Sequence, residues 1–102
     1  MLLRTVRLTL RPDAVAAFHA LFAATRPRIA AAPGCHSLDL WQDARYANIL
    51  TTVSLWDGPE ALDAYRRSDL FRETWAQTTP LFAAPPVATS HVRPDARADA
   101  LA

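Results

Sequence analysis

The chain is 102 residues long, 51% hydrophobic and 21% charged, with a formal net charge of +1. That is the size of one domain, and so balanced a charge gives no footing for a nucleic-acid or polyanion partner. Cys35 is the only cysteine, so an intrachain disulfide is excluded, and no run approaches the roughly 18–20 apolar residues of a membrane span. The expectation is a soluble, cytoplasmic protein with no nucleic-acid and no membrane partner.

Residues 2–11 alternate, with Leu2, Val6, Leu8 and Leu10 on one parity and Thr5, Arg7, Thr9 and Arg11 on the other, which predicts a half-buried strand. Pro12-Asp13 opens a helix, because proline suits the first turn and an acid there complements the helix dipole. Val15, Phe18, Phe22, Thr25 and Ile29 recur at three- and four-residue spacing and mark its inward face. Pro27 is expected to end or kink this helix near Thr25-Arg26. Ala32-Pro33-Gly34 stops it.

Period two returns from Cys35 to Asp43, and the polar turn Asp43-Ala44-Arg45 predicts a hairpin with a strand over residues 46–56. In that strand the odd positions Ile49, Val53 and Leu55 are apolar. The even positions Asn48, Thr52, Ser54 and Trp56 mix small polar groups with an aromatic. Asp57 fits an N-cap with Glu60 three residues on and Pro59 in the first turn. Leu62 and Tyr65 face inward, and Ser68-Asp69 caps a second short helix carrying Leu70, Phe71 and Trp75. A last strand is expected over residues 87–93, which closes a domain at 1–93, and residues 94–102 look like a flexible tail.

The order β-α-β-β-α-β predicts an α+β, ferredoxin-like fold, a four-stranded antiparallel sheet with its helices on one face. If the even face of the third strand meets the helices, Ile49, Val53 and Leu55 are left outside. Each gains ~1.5–3 kcal/mol on full burial, and a second copy is the simplest cover. A homodimer through this sheet face is therefore expected.

Asn48, Thr52, Ser54 and Trp56 then line the space between sheet and helices. Unsatisfied polar groups in a dry core cost ~1–3 kcal/mol, so their presence points to a pocket holding water or a ligand, with Phe22 and Trp75 as further contacts. The competing reading is that Thr52 and Ser54 bond to local backbone while Trp56 is a core residue. Arg72, beside Phe71 and Trp75, is a candidate anchor for a phenolate, enolate or carboxylate, against the reading of a surface arginine. His19 borders the stripe of the first helix and is a candidate base or donor, against that of a packing residue. Together Arg72, Trp56 and His19 form the candidate catalytic set. His19, His36 and His91 do not fall at metal-ligand spacing, so no metal is expected.

The strings APGCHSLDLWQD, ILTTVSLW and WDGPEALDAYRRSDLF resemble the antibiotic biosynthesis monooxygenase domain, over about residues 3–93. The resemblance implies a dimeric α+β barrel and, in one group of members, cofactor-independent oxidation of aromatic quinol or anthrone substrates by dioxygen. It matches Trp56 to the family's strand-three tryptophan and Arg72 to a substrate-contacting helix arginine. Thr52 stands where those oxygenases have a pocket asparagine. In the haem-degrading branch an asparagine is expected at Val6 and the iron-ligating histidine at Trp75, which argues against haem chemistry here. The leading expectation is a cofactor-free monooxygenase of a phenolic, quinol or polyketide-like compound. The alternative is a non-catalytic ligand-binding or stress-response module on the same scaffold.

Overall fold

The computed structural model describes residues 1–94, so all but Pro94 of the expected tail lies outside the described residues. The elements are β1 (Leu2–Thr9), α1 (Val15–Ala30), β2 (Cys35–Gln42), β3 (Ile49–Trp56), α2 (Pro59–Arg66), α3 (Asp69–Thr78) and β4 (Val87–Val92). Single 3-10 turns at Pro12–Ala14 and Thr79–Leu81 precede α1 and follow α3. The four strands form one antiparallel sheet in the order β2-β3-β1-β4, the ferredoxin-like arrangement expected from the alternation of elements.

Strand parity places the core. Leu2, Leu8, Leu38, Leu50 and Trp56 are all buried on the helix-facing side, and β1 pairs with β3 so that Leu2 meets Trp56 and Leu8 meets Leu50. The core has two centres. Leu8, Leu10, Phe18 and Leu50 form one, while Leu2, Trp56 and Leu62 form the other. On the opposite face Leu3, Ile49, Val53 and Leu55 are incompletely covered, and Trp41 is 66% exposed.

Two local expectations are corrected. The helix does not end at Pro27 but runs through it to Ala30. Phe18, Thr25 and Ile29 are buried along its inner face, and Arg26 donates from Nε to the Leu38 carbonyl at 3.0 Å. Packing on both sides of the proline thus outweighs the lost backbone bond. Nor is Asp57 the cap of α2. That position falls to Gly58, with no side-chain cap bond, because the Asp57 carboxylate instead pairs with His36. The Ser68 cap is as expected, its Oγ accepting from the Phe71 N–H at 3.2 Å.

The third strand is shorter than the alternation suggests. Residues 46–48 belong to the turn, where Asp43 Oδ2 accepts from the Arg45 and Tyr46 N–H groups at 2.9 and 2.8 Å. At the far end, Gly34 adopts φ +80, and a Cβ there would lie 2.6 Å from the Ala61 Cβ. Its carbonyl accepts from the Asp57 N–H at 2.8 Å, tying the start of β2 to the β3–α2 junction.

Candidate functional site

A cavity of about 370 Å³ lies between the sheet and the three helices, at the lower end of the size usual for small-molecule sites. Its floor follows from the strand register. One row across the sheet runs Leu38, Ser54, Arg4, Ser90, and the next runs Leu40, Thr52, Val6, Ala88. All but Leu40 and Ser90 line the cavity. A row of polar side chains therefore crosses the helix-facing side beside the two apolar core centres.

The walls are aromatic. Tyr65 stacks on Trp56 with centroids 5.2 Å apart, Phe71 meets Tyr65 edge-on at 5.4 Å, and Trp75 follows Phe71 at 5.7 Å. Phe18 and Phe22, stacked at 6.0 Å, form the α1 side. Helical spacing explains the α2 contribution, since Leu62, Tyr65 and Arg66 stand at i, i+3 and i+4 and all three line the cavity.

The polar groups differ in how far they are satisfied. Trp56 donates its indole N–H to Ser54 Oγ at 2.9 Å. Thr25 and Thr78 bond back to the Leu21 and Thr74 carbonyls at 2.9 and 2.6 Å, as buried helix threonines do. Arg4 donates from Nη1 to Ser90 Oγ at 2.9 Å. Burial, and then the like charge of Arg66, lower the Arg4 guanidinium from its ordinary value. Burial pushes the Tyr65 phenol up to about 12, with a smaller contribution from Cys35. At neutral pH Tyr65 is thus a donor and not a base.

Of the residues singled out in the sequence, Phe22, Thr52, Ser54, Trp56 and Trp75 meet at this cavity. The other three lie elsewhere. Arg72 is exposed, pairs with Asp69 and donates from Nη1 to the Arg67 carbonyl at 2.8 Å. It sits one residue past Phe71, a turn of about 100° that carries it off the inward face. His19 is exposed for the same reason, one residue past Phe18. Asn48 precedes β3, and its Nδ2 donates to the Leu10 carbonyl at 2.9 Å while the Leu10 N–H donates to the Asn48 carbonyl at 2.8 Å. It is a clamp between the hairpin and the end of β1.

The residues that sequence reasoning passed over are Arg4, Tyr65 as a polar group, and Arg66. Arg4 shares the parity of Leu2, Val6 and Leu8, and a cation on the inward parity of a strand was the available signal. Among the described residues, no cluster of His, Cys, Asp and Glu is arranged to hold a metal ion. No helix is long and apolar enough to cross a membrane.

Comparisons with known proteins fit this architecture. A solved structure from Mycobacterium tuberculosis, Rv0793, is 30% identical, with a TM-score of 0.84 over 92% of this chain and 95% of that one. A conserved protein from Methanosarcina mazei Go1 is 21% identical, with a TM-score of 0.86 over 92% and 94% of the two chains. A structure named antibiotic biosynthesis monooxygenase is 16% identical, with a TM-score of 0.86 over 93% of this chain and 100% of that one. The last two show the fold alone. No curated protein matches the chain. The family model for antibiotic biosynthesis monooxygenase matches residues 1–77, which include β1 through most of α3 and so most of the cavity wall. The chain belongs to the antibiotic biosynthesis monooxygenase family.

Proposed function

We propose that the protein is a cofactor-independent monooxygenase that oxidises a flat, electron-rich phenolic, quinol or anthrone-type molecule with dioxygen. The observation that carries this is the cavity of about 370 Å³ with a continuous aromatic wall above a polar strand row. In an anthrone-type substrate a CH₂ group becomes C=O, one dioxygen atom is retained, and the other leaves as water with the two hydrogens. The substrate supplies all the electrons. The protein then has only to hold the ring, exclude water and stabilise the oxyanion. Trp75 flanks the ring and Trp56 backs the Tyr65 stack, while Tyr65, kept neutral, and the Thr52 hydroxyl are the donors best placed to meet a developing oxyanion.

Among the described residues the cavity lining contains no histidine and no carboxylate, so in this reading an acidic substrate loses its proton to solvent. The same observation favours a second reading, a non-catalytic binding module. Dioxygen uptake with an anthrone and a series of quinols separates the two. Turnover that falls in Trp56→Phe and Tyr65→Phe supports the oxygenase. A ligand-induced rise in Tm with no uptake by any substrate assigns the binding module instead.

The outer sheet face is proposed as a homodimer contact through Ile49, Val53 and Leu55. Its neighbours there include the incompletely covered Leu3 and the exposed Trp41, an apolar surface of the kind that associating proteins bury.

A further inference from the structure

We propose that the cavity selects an aromatic carboxylate, with the Arg4 and Arg66 guanidinium groups holding its anionic end. The inference rests on the cavity being a ligand site and adds the charge of the ligand to that reading. Arg4 rises from the floor row of β1 and Arg66 descends from the last turn of α2, and both line the same cavity. They act on each other as like charges. Among the described residues the lining holds no acidic residue, and neither arginine has a carboxylate within ion-pair distance, whereas Arg11, Arg26, Arg28 and Arg72 each do. Arg4 is partly covered and Arg66 exposed, so both cations stay hydrated at the cavity, and an anionic ligand end would give each a charge-assisted partner.

The shape of the donor set narrows the anion. Arg4 already spends one N–H on the exposed Ser90 Oγ. The strand backbone beneath is committed to the sheet ladder, so among the described residues β1 offers no free N–H groups to cradle a multiply charged phosphate. What remains is a pair of guanidinium forks and the Ser54 hydroxyl, which accepts from Trp56 and keeps its own proton to donate. Such a set matches a planar, two-oxygen carboxylate. The ring attached to it would lie along Tyr65, which precedes Arg66 in α2 and is backed by Trp56.

The test is calorimetric titration of the full chain with 2-naphthoate and its neutral isostere 2-naphthamide, repeated on Arg4→Gln and Arg66→Gln. The carboxylate is expected to bind the wild type at least about 10-fold more tightly than the amide, the scale of a charge-assisted bond. Each substitution is expected to weaken the carboxylate by about 10-fold and to leave the amide nearly unchanged. Arg66 is exposed at a helix end, so Arg66→Gln keeps the question answerable if Arg4→Gln unfolds. Equal binding of acid and amide overturns the proposal and leaves the cavity reading standing. Undiminished binding of the carboxylate in a folded variant also overturns it. Binding of neither compound overturns the proposal and the cavity reading together.

Discussion

The ring of Tyr65 lies over the indole of Trp56, with centroids 5.2 Å apart and planes 26° from parallel. This stack joins α2 to the end of β3, and it holds a phenol whose ionisation is pushed up to about 12 by burial. The neutral phenol favours the folded state. Stability from this group is therefore complete below the unfolded value near 10 and is lost as pH rises from there through about 12. In Tyr65→Phe the stack survives and the alkaline step disappears. The expected difference is on the order of 1 kcal/mol after allowance for partial exposure. Tm against pH for the two proteins, with the phenolate absorbance as a second readout, checks it. Parallel curves would refute it.

Arg72 and Asn48 test the boundary of the site from outside. Arg72→Ala removes an exposed pair with Asp69 and should cost below about 1 kcal/mol. Asn48→Ala removes the donor to the Leu10 carbonyl and should cost about 1–2 kcal/mol. Neither should change turnover or ligand affinity by more than about twofold, a shift of under 0.5 kcal/mol. A large loss of affinity in Arg72→Ala would bring this arginine back into the site.

Gly34 is where backbone and packing both demand glycine. Its φ of +80 disfavours any side chain, and the added methyl would meet the Ala61 Cβ at 2.6 Å. Gly34→Ala is expected to destabilise by about 2 kcal/mol or more. Chemical denaturation would show this as a lower midpoint at constant slope.

A charge placed at the centre of the outer sheet face tests the proposed dimer. Val53 faces Asp39 across β2–β3, so Val53→Arg gains a compatible neighbour and the subunit fold is retained. The same charge repeated in both copies opposes a sheet-to-sheet contact. Light scattering is expected to give a dimer mass for the wild type and half of it for Val53→Arg. A wild-type monomer at micromolar concentration would refute the contact.

Much of the fold was legible because period-two alternation and Ser68 are local signals. The alternation in β1 and β3 separates helix-facing from outer residues, and Ser68 caps α3 through a bond three residues away. Pro27 misled because its local preference is overridden by Arg26, which anchors the helix to β2 from twelve residues away in sequence. Asp57 misled because its partner, His36, is distant in sequence. For Arg72 the error was one of helical phase. A single position separates the cavity wall at Phe71 from solvent, and spacing alone does not resolve that. Arg4 and Arg66 were hidden for a different reason, since nothing along the chain reveals that a strand arginine and a helix-end arginine share a space.

The three tryptophans are divided between the two faces of the sheet. Trp56 and Trp75 line the cavity, whereas Trp41 stands on the opposite side, 66% exposed. The protein therefore carries its own optical reporters. A ligand entering the cavity is expected to quench the buried, blue-shifted emission, while covering of the outer face shifts only the red component from Trp41. Occupancy and assembly become separable in one emission spectrum, with no dye attached.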